Sequence, residues 1–268
     1  MTIFATGTSG TIGSHFSNSV TPLIFRLEDL HQFTFQSLNA TDDILIHSAG
    51  IVGASEIEMN PEYSRRINVD ATLFLAKKAI ELGFEKFVFI SSAHVYKRSN
   101  EILSEQSMLS PINKYALQKL EAEEKLRELF STNPQTKLCI VRVFGVLNWD
   151  ERKDTLGSAI TKLVKSKFIS VINHGLDVRD FLTPWQIAQN VVKIAERKDI
   201  FGEINLCSGV GTRVIDAVQI MLESNNFVFK SEFVSRNQSL TPYIVGDNSR
   251  FKSFFPETDL FWSPSNYI

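Results

Sequence analysis

Cysteine is nearly absent from this chain of 268 residues. Its two cysteines, Cys139 and Cys207, lie in apolar segments too far apart in sequence for a metal knuckle or a redox pair, so they read as reduced core residues. The histidines, His15, His31, His47, His94 and His174, lack any paired ligand spacing, and no metal is expected. Neither sign of charge is in excess. Lys plus Arg (28) nearly balance Asp plus Glu (30), which leaves no global field to draw nucleic acid or an anionic membrane. No apolar run is long enough to span a bilayer, and the N-terminus lacks the basic start and small-residue cleavage site of a signal peptide; a cytoplasmic protein is expected. Internal repeats and low-complexity tracts are missing too. What remains is a hydrophobic content of 43%, which argues against disorder, on a length that suits one large α/β unit or a cofactor domain with a smaller cap.

Met1 to Thr6 (MTIFAT) reads as a short apolar strand running straight into GTSGTIG, where Gly7, Gly10 and Gly13 fall three apart. Such a turn lets the backbone approach a pyrophosphate, and the helix expected to follow offers free N–H groups and a positive dipole end. A glycine-rich loop alone says little; one that follows a strand and opens a helix supports a dinucleotide site. Gly7, Ser9, Gly10, Thr11, Ile12 and Gly13 are its candidate residues. The second strand is expected over Pro22 to Leu27, ending in an acid if the ribose 2′-OH of NAD is to be met. Arg26 lies there instead, which suits the 2′-phosphate of NADP; the competing readings are a solvated edge charge at Arg26 and Glu28 as a ribose partner. NADP is therefore the expected cofactor, with NAD as the alternative. Asp43 to Gly50 (DILIHSAG) reads as a third buried strand, whose Ala49 and Gly50 are contact candidates for the adenosine half of the cofactor, while His47 reads as packed or locally hydrogen-bonded. Apolar spacing predicts a helix over Pro61 to Leu82, capped by Gly83. Asn68 within it either helps hold the nicotinamide pocket or is a surface polar residue.

Phe87 to Ile90 is a fourth buried strand, expected to stop where Ser91 and Ser92 appear, and strand ends are where an open α/β sheet places its chemistry. Beyond a polar connection, Pro111 leads into a helix with Ile112, Ala116, Leu117 and Leu120 at helical spacing. Tyr115 and Lys119 then stack on one face. An ammonium beside a phenol favours the phenolate, so Tyr115 is expected to be drawn from ~10 toward neutrality as an acid/base. An ordinary surface pair is the competing reading. The order of nucleotide loop, hydroxyl-bearing strand end and Tyr-Lys pair favours the chemical one.

With these motifs and NVDAT (Asn68 to Thr72), the chain resembles the extended short-chain dehydrogenase/reductase family, whose members act on nucleotide-activated sugars as epimerases, dehydratases or reductases. The resemblance extends through VRVFG (Val141 to Gly145), HGLDVRDF (His174 to Phe181), INLCSG (Ile204 to Gly209) and a C-terminal helix in Asp247 to Glu257. It implies an α/β fold, a Rossmann-type doubly wound parallel sheet with a small C-terminal substrate-binding cap. Residues 1–145, completed by 181–207, would form the dinucleotide-binding domain, and 146–180 with 208–268 the cap, including a helix near Leu156 to Lys165. By the same resemblance Tyr115 is the acid/base, Lys119 binds the nicotinamide ribose and lowers the tyrosine pKa, and Ser92 hydrogen-bonds the substrate oxygen, leaving Ser91 structural. Ala93 and His94 would line the substrate beside Ser92. Arg179 resembles the arginine that clamps a sugar-nucleotide diphosphate, against a plain salt bridge to Asp180.

The departures bear on activity. Ala93 and His94 stand where dehydratases carry an acidic pair, Gly145 replaces the asparagine of the sixth-strand motif, Asn148 and Trp149 replace the Gly-Pro after it, and Trp185 and Gln186 replace an acidic pair after Arg-Asp-Phe. The expected activity is therefore NADP-dependent reduction of a nucleotide-linked 4-keto sugar. An NAD(P)-dependent nucleotide-sugar epimerase is the alternative, and a non-catalytic nucleotide sensor is the reading from another class. In the similar GDP-fucose synthases a cysteine two positions after the catalytic hydroxyl exchanges protons beside the carbonyl, and His94 occupies that position, as an exchanger or a wall residue. Phe251, Phe254, Phe255, Phe261 and Trp262 read as core or interface. A homodimer through the helices 61–82 and 113–130 is expected by analogy.

Overall fold

The computed structural model describes residues 1–24, 42–147, 175–224 and 243–261. Ile3–Thr6 (β1), Ile44–His47 (β3) and Lys86–Ser92 (β4) are buried at every position, as near-continuous apolar strands are when a parallel sheet is covered on both faces. With Val20–Pro22 (β2), Lys137–Val143 (β5) and Gly202–Leu206 (β8) they form a six-stranded sheet in the order β2-β1-β3-β4-β5-β8. The β1–β2, β1–β3 and β3–β4 pairings are parallel. The chain leaves β1 to one side to make β2 and comes back on the other side to make β3. The loops after β1 and β3 thus diverge from adjacent strand ends, the switch point where such sheets take ligands.

Helices Thr72–Glu81 (α3) and Lys114–Ser131 (α4) cover the sheet, packing Leu75, Ala79, Leu126 and Phe130 on Leu45, Phe87 and Phe89. Burying each such side chain is worth about 1.5–3 kcal/mol. Asn113 caps α4, its Oδ1 accepting from the Ala116 N–H at 2.8 Å. Pro184–Glu196 (α5) opens on a capping box: Thr183 Oγ1 accepts from the Gln186 N–H (3.0 Å) while Gln186 Oε1 accepts from the Thr183 N–H (2.9 Å). Its far end is closed by buried Lys86, whose ammonium donates to the carbonyls of Ile194 (2.6 Å) and Arg197 (2.8 Å).

Two compact units divide the chain. One comprises Met1–Val95, Pro111–Arg142 and Ile187–Ile204, and the other Tyr96–Ser110, Val143–Gln186 and Asn205–Ile268. The second unit is built on Val178–Leu182 (β7), which pairs with Gly145–Val146 (β6), Gly211–Arg213 (β9) and Tyr243–Ile244 (β10). Gly145 is required there, because a Cβ would lie 2.6 Å from the Asp180 carbonyl oxygen and 2.7 Å from the Phe181 ring. Val214–Ser224 (α6) and Ser249–Phe254 (α7) complete the described part of this unit, with Phe251 buried against Phe255.

Three expectations change. The glycine loop opens no full helix but a single 3-10 turn, Gly13–His15, so the chain reaches the sheet early and β2 starts at Val20, two residues before the strand expected from Pro22 on, of which Phe25 to Leu27 lie outside the described residues. The helix expected over Pro61 to Leu82 is helical throughout from Pro61 to Glu81 but changes register on the way, running as Pro61–Arg65 (α2), a π-helical turn Arg66–Ala71 and α3, and it is preceded by a short helix, Ala54–Met59 (α1). Strand β4 runs through both serines instead of stopping before them. Arg26, Glu28, Asn148, Trp149, the helix near Leu156 to Lys165, His174 and Trp262 fall outside the described residues. Among the described residues no helix is long and apolar enough to cross a membrane.

Candidate active site

At the switch point the glycine loop folds tightly on its neighbour. Gly7 has φ 71°, and a Cβ on it would meet the Ala49 nitrogen at 2.5 Å. The Gly10 N–H donates to the Gly7 carbonyl at 2.9 Å, and a Cβ on Gly13 would lie 2.1 Å from that same oxygen. Ser9 is exposed at the tip, with Thr11 and Ile12 half-buried beside it. The loop after β3 carries Ala49 and Gly50, and a Cβ on Gly50 would sit 3.0 Å from Asn68 Oδ1 and 3.7 Å from Lys119 Nζ. The folding of one loop therefore brings the expected adenosine-side residues, Asn68 and the helix lysine together.

Ser92 ends β4 and Tyr115 lies in the first turn of α4, near enough for the serine hydroxyl to act on the phenol. Ser92 Oγ also accepts from the His94 N–H at 3.2 Å. Lys119, one turn beyond Tyr115, is buried, donates to the Ile90 carbonyl at 2.8 Å and lies 4.6 Å from the Phe89 ring centroid. The electrostatics run against the expected phenolate. Burial pushes the Tyr115 phenol up to about 12, with the Ser92 hydroxyl pulling the other way, while the Lys119 ammonium lies against Ile90 and Phe89. Burial pulls Lys119 down to about 8, and the Glu123 charge opposes it. Tyr115 thus holds its proton at neutral pH, as a general acid must. Of the two substrate-side neighbours, Ala93 is buried and His94 exposed on the 3-10 turn Ala93–Val95.

Asn68 lies in the π-helical turn and is 1% exposed, which rules out the surface reading. Its Oδ1 accepts from the Ile51 N–H (2.8 Å), and its Nδ2 donates to the Ile51 carbonyl (2.9 Å) and to Gln118 Oε1 (2.8 Å). Gln118 Nε2 in turn donates to Ser64 Oγ at 2.9 Å. His47 joins this network from below. Thr72 Oγ1 donates to the Asn68 carbonyl and so accepts from His47 Nε2–H (2.9 Å), leaving His47 Nδ1 to accept from Thr6 Oγ1 (2.7 Å). Burial, then the Lys119 charge, lowers His47 to about 3, and the ring is a neutral strut. Gln118 and Glu123 were not anticipated, although Glu123 continues the four-residue spacing of Tyr115 and Lys119 and so shares their face.

A family model described as the NAD dependent epimerase/dehydratase family matches residues 28–207. The chain belongs to that family. The match begins beyond the glycine loop. Among curated relatives, an uncharacterized UDP-glucose epimerase of Bacillus subtilis is 24% identical, aligned over 82% of this chain and 81% of its own length. A UDP-glucose 4-epimerase of Dictyostelium discoideum is also 24% identical, over 92% and 88%. Of the solved structures, a UDP-glucose 4-epimerase of Thermus thermophilus in complex with NAD superposes with a TM-score of 0.80 at 16% identity, over 95% of this chain and 93% of that one. RMD of Pseudomonas aeruginosa complexed with NADPH gives 0.80 at 21% identity, over 98% and 93%.

As a family member the chain is an NAD(P)-dependent enzyme with the extended short-chain dehydrogenase/reductase fold, and the non-catalytic sensor falls away. Its residues fit the dinucleotide: Gly7 and Gly13 let the loop after β1 fold flush on itself and on the loop after β3, where a Cβ would strike backbone, and Gly50, Asn68 and Lys119 converge beside it. In the second unit, Arg179 pairs with Asp177 (3.0 Å) rather than with Asp180. Asp180 is buried and accepts instead from the N–H groups of Ser208 (2.7 Å) and Gly209 (2.9 Å) and from Ser208 Oγ (2.6 Å). Burial and the Arg98 charge both push the Arg179 guanidinium down, against Asp177, so two cations stand near one another there.

Proposed function

We propose that this chain is a nucleotide-sugar epimerase that inverts C4 of a UDP-hexose. The observation that carries the reading is Ser92 at the end of β4 beside Tyr115 in the first turn of α4, with buried Lys119 one turn on, in a chain whose relatives are named UDP-glucose epimerases. When bound, a nicotinamide ring supplies reversible hydride acceptance at the carbinol carbon. Tyr115 exchanges the hydroxyl proton, Ser92 hydrogen-bonds the sugar oxygen, and Lys119 holds the ribose side of the site. Arg179, its fork of donors on β7, is read as the diphosphate clamp, and Ala93 and His94 as the wall beside the sugar. Arg26 remains our reason for expecting NADP ahead of NAD.

Incubation with UDP-glucose and a trace of cofactor, followed by NMR of the sugar, tests the reading. UDP-galactose should appear with no net change in reduced cofactor. Two observations favour a second reading, a 4-keto-sugar reductase. Tyr115 is held in the proton-donating form, and the single turn after the glycine loop offers bound phosphates less dipole, which suits a cofactor exchanged at each turnover. Stoichiometric oxidation of NADPH by a nucleotide-linked 4-keto sugar, without epimer, would decide for it.

A further inference from the structure

Behind the two hydroxyls, α4 carries Tyr115, Lys119, Glu123 and Arg127 at four-residue spacing along one face. Glu123 is fully buried and accepts four hydrogen bonds: from Ser91 Oγ (2.5 Å), Arg142 Nε (3.2 Å), Arg142 Nη2 (2.7 Å) and Arg127 Nη2 (2.6 Å). Arg142 on β5 is equally buried, and half-exposed Arg127 also gives its Nε to Glu203 on β8 at 2.6 Å. A buried ion cluster is a poor way to hold a helix on a sheet, because desolvation cancels most of its attraction and apolar side chains would serve as well. Its placement offers a better account. Ser91 adjoins Ser92 along β4, and Glu123 lies one helical turn from Lys119, so a single carboxylate is tied to the strand side and the helix side of the same site.

We propose that Glu123 is a positioning residue for the Ser92–Tyr115–Lys119 site, keeping the Lys119 ammonium charged and seated on the Ile90 carbonyl while fixing the end of β4 through Ser91. The inference rests on reading Lys119 as the residue that meets the cofactor ribose. Around Lys119 stand Tyr115 and Glu123 from its own helix, the Ile90 carbonyl and Phe89 ring from β4, neutral His47 from β3, and the Asn68 amide across Gly50. Around Glu123 stand Arg127 from its own helix, Ser91 from β4 and Arg142 from β5, with Glu203 beyond Arg127. On the outer face of α4, Arg65 pairs with Glu121 and Asp70, and Lys125 with Glu121, away from this row. Burial draws the Lys119 proton off at about 8, and Glu123 is the charge that opposes it.

The test is the pH dependence of NAD and NADP affinity, measured by titration calorimetry from neutral to alkaline pH. Affinity should fall as Lys119 loses its proton, and Lys119→Met should abolish that alkaline limb. Glu123→Gln keeps the shape and removes the charge, so the limb should move to lower pH by about one unit. Arg127→Gln removes a cation that competes for Glu123, so the limb should move the other way. Lost packing is common to both variants and cannot produce opposite displacements. Limbs that stay put or move together, a limb that survives Lys119→Met, or no limb in the unaltered protein would each overturn the proposal. If Glu123→Gln does not fold, Arg127→Gln decides alone, and an unmoved or lowered limb is the overturning result. Binding needs no sugar, so a missing epimerase activity leaves the inference standing, and an unmoved limb leaves the epimerase reading standing.

Discussion

Tyr115 holds its proton because burial outweighs the pull of the Ser92 hydroxyl. Tyr115→Phe removes only the hydroxyl. Turnover should fall at least about a hundredfold while cofactor affinity stays as it was, read by steady-state kinetics beside a binding titration; undiminished turnover would return Tyr115 to an ordinary helix position. His47 gives a second prediction. Its folded pKa of about 3 lies below the ordinary 6.5, so between those values the unfolded chain binds a proton that the fold refuses. Stability is whole above 6.5 and declines as pH falls toward about 3, by up to about 1.36 kcal/mol per pH unit. Urea midpoints at neutral and mildly acid pH should show that slope, and His47→Gln, which can bridge Thr6 and Thr72 without titrating, should flatten it. Residue types and spacing made Ser92, Tyr115 and Lys119 legible in the sequence. The direction of the Tyr115 shift was not, because it depends on how much protein surrounds the phenol and on where the Lys119 ammonium points.

Elements were readable where the signal is local. The apolar run of β4, Pro111 in the approach to α4, and Gly83 after α3 with φ 78° each lie where the sequence places them. The capping box of α5 is equally local, and Thr183→Val should cost about 1 kcal/mol in chemical denaturation by leaving the Gln186 N–H without its acceptor. A cost near zero would mean that tertiary packing alone fixes the start of α5. What escaped the sequence is set by distant partners. The Asn68 amide meets Gln118 across 50 residues, and Glu123 meets Arg142 across 19, so spacing along the chain gives no hint of either. The π-helical turn is of this kind too, since it turns Asn68 toward Ile51 and Gln118 at a point where apolar periodicity predicts a regular α-helix.

At the scale of the molecule, the first unit is stitched from separated stretches, with Ile187–Ile204 joining it after a long excursion through the second. Ordered by time, that topology is a schedule. A ribosome delivers β1 to β5 first, and β5 waits with an unpaired edge until β8, its neighbour in the sheet, has emerged. Over the same interval Lys86 is a cation under a sheet with no helix end to receive it, because the Ile194 and Arg197 carbonyls have yet to be made. Nascent chains halted before α5 should therefore be caught by chaperones and proteases, and those released just beyond β8 should escape them.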